Sequence, residues 1–335
     1  MKKLLSLLLC SVLVFSLFAC GNTKSTDTAD NKTSSDNQEE VTLNIAYQYG
    51  LAYAPLILCQ QDNLIEKAYS EHTGKNVKVT WNQMSSGADI NTGFASGDIQ
   101  VGFMGIAPAI TGISNQTGYK IFSNLSGQAH GLMSNNDDIN SLEDLIDSEH
   151  QIALVNIGSI QHIILAKSLA DNGYDAHALD SNIVAMKHPD GMSSLESNSI
   201  ACHLTSNPYI YKERENDALH ELTEVKDAWS ADNSFIVGVA AQSLHDENPD
   251  LYKALCTAIS EAIDSINSDF EGTAKITCEY DGNTPEDELT YLKAGSYRTE
   301  TKGIFELAQF MKENAFIENG FESYSDLVFD NVTGD

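Results

Sequence analysis

One unit recurs along residues 41–241: a β-rich apolar run, a turn of small residues, then a helical pattern. "VTLNIAYQYG" leads through Pro55 into "LILCQQDNLIEKAY", and "VKVTW" leads through "NQMSSG" into "ADINTGFASG". "IQVGFMG" leads to Pro108 and "AITGISNQ", "QIALVNIG" to "SIQHIILAKSLADNG", "NIVAMKHPDG" to "MSSLESN", and "SIACHLTSN" to Pro208 and "YIYKEREND". Strands alternating with helices require sheets covered on both faces, an α/β architecture with parallel or mixed sheets. The last third is largely helical; in "PDLYKALCTAISEAIDSINSDF", Leu251, Leu255, Ile259, Ala262 and Ile266 keep one helical face apolar.

Two blocks of these units meet at "SNLSGQAHG", and "SADNSFIVGVAAQ" reads as an apolar strand returning to the first block. The expectation is a first lobe of residues 41–128 plus 235–335 and a second of 129–234, joined by crossings near Gly127 and Ser234 that act as a hinge. About 295 residues exceed one ordinary core, which agrees with two lobes. Gly102 and Gly105 interrupt an apolar run and let something approach the backbone closely. Pro55, Pro108 and Pro208 stand where helices start, the position proline tolerates best. Helix starts carry unpaired N–H groups and partial positive charge, and in open α/β sheets they lie at the carboxyl edge where ligands bind. Glycine and proline also punctuate ordinary βα turns; six such units in two facing lobes favour a ligand cleft.

The amino-terminal "MKKLLSLLLCSVLVFSLFAC" has a basic start and an apolar run from Leu4 to Phe18, too short for a membrane span. It reads as an export signal over residues 1–19. Its Leu-Phe-Ala-Cys ending resembles the bacterial lipobox, which implies lipidation of Cys20. Residues 20–40 contain no apolar side chain larger than alanine after Cys20 and read as a flexible tether. The chain is then expected outside the cytoplasm, held at the bacterial cell membrane by its lipid alone. A formal charge of −29 argues against nucleic acid and other polyanionic partners. Cys59, Cys202, Cys256 and Cys278 show no metal-binding spacing. They read as free thiols, with a Cys256–Cys278 bridge as the alternative.

The segments "LAYAPLILCQQDNLIEK", "SSGADINTGFASGDIQVGFMGIAPAI", "IALVNIGSIQHIILAKSLADNG" and "HLTSNPYIYKE", in that order, resemble substrate-binding proteins of ABC importers. The branch is the nitrate/sulfonate/taurine group, which includes binders of thiamine-pyrimidine precursors. The likeness runs from Val41 to about Phe316; Gln100 departs from it, where the family more often carries an acid. It implies the bilobal type II periplasmic-binding-protein fold, closure on a small ligand and docking on a permease. The chain has no GxxxxGK[ST] motif, so a separate ATPase subunit would supply energy. The resemblance places ligand contacts at strand ends: Tyr49 and Gly50, Ser86 and Gly87, Gly105 and Ile106, Gly158 and Ser159, Ser206 and Asn207. It implies no enzyme activity, no cofactor, no metal and a monomer.

Residue chemistry refines these candidates. Ser86 and Ser159 suit helix caps as well as ligand contacts. Alternation places Tyr47 and Tyr49 on one face, so one is core and the other reaches the cleft near Tyr53; Tyr209 and Tyr211 follow the same logic. His162 reads as a hydrogen-bonded structural residue, and Asp190 as a cap for the next helix or an acceptor for a ligand amine. The only arginines, Arg214 and Arg298, lie away from strand ends, so no bidentate anion clamp is expected. Helix starts and hydroxyls then favour a ligand that is neutral, zwitterionic or singly negative, with a planar or small apolar part against the tyrosines. Two alternatives stand beside the importer. One is a sensor passing occupancy to a membrane receptor. The other is a thiamine-pyrimidine synthase on the same fold, whose cysteine-clustered motif this chain lacks; GxSxG and HExxH are absent too.

Overall fold

A computed structural model describes residues 41–335; the leader, Cys20 and the tether lie outside the described residues. In chain order, β1 (Val41–Tyr47) is followed by α1 (Ala54–Asp62) and α2 (Leu64–Thr73), and β2 (Val77–Gln83) by α3 (Gly87–Ser96). Next come β3 (Val101–Gly105), α4 (Ile106–Ser114) and β4 (Tyr119–Ser126). The chain then builds a second sheet through β5 (His130–Ser134), β6 (Ile152–Leu154), α5 (Ile160–Asp171), β7 (Ile183–Ala185) and α6 (His188–Glu196). It continues through β8 (Cys202–Ser206), α7 (Tyr209–Arg214), β9 (His220–Leu222) and α8 (Thr223–Ala228). Returning, it adds β10 (Ile236–Ala241) and α9 (Gln242–Glu247), then α10 (Pro249–Ser268), α11 (Phe270–Asp281), α12 (Pro285–Ala294) and α13 (Ile304–Glu313).

The sheets are ordered β2-β1-β3-β10-β4 and β7-β6-β8-β5-β9. In the first, β1 lies parallel to β2 and β3, while β10 is antiparallel to β3 and β4. In the second, β6 lies parallel to β7 and β8, while β5 is antiparallel to β8 and β9. Both sheets therefore insert one reversed strand at the same place. The chain passes between them after β4 and again before β10.

The strands β3, β10 and β4 of the first sheet are buried on both faces, as near-continuous burial along a strand demands, while edge strand β2 is partly exposed. Every residue of β3 is buried, and Phe103 meets Phe122 edge to face at 5.7 Å. Burying such a ring contributes about 2–3 kcal/mol. The five apolar positions expected along α10 are all buried. The interruption at Gly102 belongs to this core: a Cβ there would stand 2.7 Å from Ile90 and 2.8 Å from Phe94, so the missing side chain admits α3 rather than a ligand. All four cysteines from Cys59 onward are free thiols, and the alternative Cys256–Cys278 bridge is not formed. No helix among the described residues is long and apolar enough to cross a membrane.

Candidate functional site

Loops and helix starts at the carboxyl ends of both sheets enclose a cavity of about 190 Å³. That is smaller than the ~300–1,000 Å³ of sites for drug-sized ligands, so it suits a molecule of few heavy atoms. The helix starts follow from sequence. Ser86 Oγ accepts the Asp89 N–H at 3.2 Å and caps α3, and Ser159 Oγ accepts the His162 N–H at 3.3 Å and caps α5. Pro55 lies in the first turn of α1, Pro108 is the third residue of α4, and Pro208 is the cap of α7. Tyr53, Gly87, Gly105, Ser159 and Lys187, at or beside the starts of α1, α3, α4, α5 and α6, all line the cavity.

Of the residues expected there, Tyr49, Gly50, Tyr53, Gly87, Gly105, Ser159, Ser206, Asn207 and Tyr209 border the cavity. Tyr49 is 53% exposed at its rim, whereas Tyr47 packs edge-on against Trp81. Tyr53 is buried and donates its hydroxyl to Gln48 Oε1 at 3.1 Å. Burial drives its phenol above the usual range. Asn207 Nδ2 donates to Gln128 Oε1 at 2.9 Å and to the Tyr291 carbonyl at 2.8 Å, so it also pins the crossing. Tyr211 leaves the cavity and stacks on Tyr291 at 5.7 Å.

Three expected contacts fall elsewhere. Ser86 turns to its own helix, donating to Asp89 Oδ2 at 2.9 Å, and Ser85 takes its place on the cavity. Ile106 is fully buried in the core. Gly158 adopts φ +83 in the turn before α5 and donates its N–H to His162 Nδ1 at 3.0 Å, off the cavity wall. His162 Nε2 lies 2.8 Å from Asp180, the structural role expected of it. Asp190 does not cap α6, which begins at His188 with Lys187 at the cap position and no side-chain cap; Asp190 sits in the first turn. At Gly105 the close neighbour is protein: a Cβ would stand 3.0 Å from Ile160, the first residue of α5.

The sequence reading missed the polar wall formed by Asn156, Gln161, Lys187 and His188. Lys187 Nζ lies 5.4 Å above the Tyr49 ring. Lys187 and His188 stand in "KHPDG", just before the aspartate considered above as a cap. His188 stacks on Tyr209 at 5.6 Å and lies 3.1 Å from both Gln161 Nε2 and Thr205 Oγ1. Burial, with His203 nearby, pushes its pKa down to about 3, so it is a neutral imidazole at pH 7. No carboxylate among the described residues lines the cavity, although the chain carries 48 acidic residues. A single positive side chain in an acid-free, partly apolar chamber can hold one negative charge and disfavours cations.

The model of the NMT1-like family matches residues 36–280. Comparison with curated protein sequences finds no match. Among solved structures, the alkanesulfonate-binding protein SsuA from Xanthomonas axonopodis pv. citri, bound to MOPS, is similar at 14% identity and TM-score 0.69, over 89% of this chain and 99% of that one. The periplasmic aliphatic sulphonate binding protein SsuA from Escherichia coli is similar at 18% identity and TM-score 0.66, over 87% and 93%. The periplasmic nitrate-binding protein NrtA from Synechocystis PCC 6803 follows at 15% identity and TM-score 0.66, over 83% and 81%. The chain belongs to the NMT1-like family and has the bilobal fold of periplasmic binding proteins of the nitrate/sulfonate/taurine group.

Proposed function

We propose that this chain is the extracytoplasmic solute-binding component of an ABC importer. It takes a small organic ligand that is neutral, zwitterionic or singly negative, and delivers it to a permease driven by a separate ATPase. The observation that carries this reading is the cavity between the two sheets, lined by no carboxylate among the described residues, edged by five helix starts and bearing Lys187. Lys187 corrects the expectation that hydroxyls and helix starts alone would meet an anion. It supplies one full charge, which offsets the desolvation of a monoanion and falls short for a dianion. Tyr49, Tyr53, Tyr209 and Phe235 give the planar or apolar part of the ligand its walls.

In this reading residues 41–128 plus 235–335 and residues 129–234 close on one another about the two crossings. Lipidated Cys20 keeps the body at the cell surface, where a monomer meets its permease. Calorimetric titration against sulfonates, taurine, nitrate, aminopyrimidines and divalent oxyanions tests the ligand class. A monoanion, zwitterion or neutral heteroaromatic binding tightest is the expected result; sulfate or a phosphate ester binding tightest overturns it.

A further inference from the structure

Behind the second lobe's wall of the cavity runs a chain of side chains that solute binding alone does not require. His188 Nδ1 lies 3.4 Å from His203 Nε2, and His203 Nδ1 lies 2.6 Å from Glu213 Oε1. His203 and Glu213 are fully buried, and Glu213 Oε2 has no partner among the described residues. Nearby charges are engaged elsewhere or exposed. Arg214 holds Glu221 at 2.6 Å, Lys212 lies over the Tyr209 ring, and Lys187 faces Tyr49. Asp190 and Glu196 on α6 are exposed, and Glu196 adds negative field at Glu213.

An ionised carboxylate without a cation in a dry site is costly, so the pair retains one proton. Burial pushes Glu213 up to about 8 and His203 down to about 3. Glu213 then donates its O–H to His203 Nδ1, which leaves His203 protonated on Nε2 and directed at His188 Nδ1 at 3.4 Å, an atom that Thr205 Oγ1 also faces at 3.1 Å. His188 carries its own proton on Nε2, where the Gln161 amide can turn its oxygen to accept it.

We propose that Glu213, His203 and His188 form a proton relay that charges His188 when a singly negative ligand enters, adding a conditional cation to the constant one at Lys187. The Glu213 O–H bond breaks as an N–H bond forms at His203 Nδ1. The His203 Nε2–H bond breaks as an N–H bond forms at His188 Nδ1. The products are a Glu213 carboxylate, a neutral His203 with its tautomer exchanged, and a His188 imidazolium; no proton enters or leaves. The transfer runs uphill at rest, since Glu213 holds its proton up to about pH 8 and His188 only up to about pH 3. A ligand therefore drives it only by pairing directly with the His188 imidazolium, and a neutral ligand leaves the relay at rest. His188 is thereby a specificity-determining residue, and the inference rests on the reading of the cavity as a solute site.

The test uses the whole chain, with benzenesulfonate as anionic probe and methyl phenyl sulfone as its neutral counterpart. Calorimetry from about pH 6 to about pH 9.5 should give benzenesulfonate affinity that is level up to about pH 8. Above that it should fall up to about tenfold per pH unit, with one proton taken up per ligand, because Glu213 must first regain its proton. The sulfone should show neither effect, and Glu213→Gln should abolish the break. A break that survives in Glu213→Gln, a level wild-type profile, or the same profile for the sulfone overturns the relay.

Nitrogen-15 spectra of wild-type imidazoles give a readout independent of variant folding. With benzenesulfonate bound, His188 should be an imidazolium and His203 neutral; a neutral His188 overturns the proposal. If benzenesulfonate binds at no pH, the solute-site reading fails for that class, and the ligand-free protein judges the chain. A protonated Glu213 at pH 7 beside neutral His203 supports it, and an ionised Glu213 overturns it.

Discussion

From the side of the first sheet the cavity is met by Tyr53, Gly87, Gly105, Pro108 and Phe235; from the side of the second by Asn156, Ser159, Gln161, Lys187 and His188. The sheets beneath these two walls have the same strand order, each with one reversed strand in fourth place. Their strands differ in length, from five to eight residues in the first sheet and from three to five in the second. The longer strands of the first sheet present the cavity mainly with rings, proline and bare backbone. The shorter sheet carries His203 in its central strand and leaves polar groups near the cavity. One architecture thus supplies shape from one side and charge from the other, because the residues at strand ends vary independently of the sheet that places them.

The largest effect should come from blocking the meeting of the walls. Gly105→Trp pushes a ring into the space now held by Ile160 and should weaken binding by about a hundredfold or more, while circular dichroism still reports a folded chain. Loss of the fold instead would assign Gly105 to packing within the first lobe.

Next is charge. Lys187→Ala should cost a monoanionic ligand about five- to tenfold in affinity and leave a neutral analogue unchanged, since a half-solvated ion pair is worth about 1 kcal/mol. Equal losses for both, measured by calorimetry, would show that Lys187 contributes packing rather than charge.

The second lobe should also respond to pH without ligand. His203 protonates near 6.5 when unfolded and near 3 in the fold, so its contribution is lost as pH falls through that window. Glu213 ionises near 4.5 when unfolded and near 8 in the fold, so its contribution is lost as pH rises through that one. The two slopes oppose each other between about 4.5 and 6.5. Above that window stability should fall by about 1.4 kcal/mol per pH unit up to about pH 8. Glu213→Gln should remove that alkaline fall in denaturant titrations; an unchanged slope would place its origin elsewhere.

The smallest effect is local. Ser159→Ala removes the cap of α5 and should destabilise the protein by about 1 kcal/mol by thermal melting, with a modest loss of binding. A stability change without any loss of binding would confine Ser159 to capping.

Periodicity made the α/β architecture legible because strands and helices alternate with turn residues between them. The strand ends were legible for the same reason, which is why Tyr49, Gly50 and Ser159 could be placed near a cleft. Within each strand end, however, a shift of one residue reverses the facing side chain. Ser85 rather than Ser86 reaches the cavity because the helix-capping geometry claims the second serine. Ile106 was misplaced by the same ambiguity. Lys187 and His188 were not legible because they precede the glycine of their turn and carry neither a hydroxyl nor a missing side chain. His188 gains its meaning only from His203 and Glu213, brought beside it by packing of α6 and α7 on β8.

The reversed strand of the first sheet has a consequence for how the chain acquires its fold. β10 separates β3 from β4, and its register joins Gly105 to Ile236, residues far apart along the chain. Until β10 arrives, β4 has no sheet neighbour, and the contact between Phe103 and Phe122 across Gly238 has no strand to close over. The second sheet has no such dependence, since β5 to β9 are contiguous in sequence. Because closing a long loop costs entropy before any contact is gained, the second lobe should become protected from hydrogen exchange first, and the first lobe only after the whole intervening segment has folded.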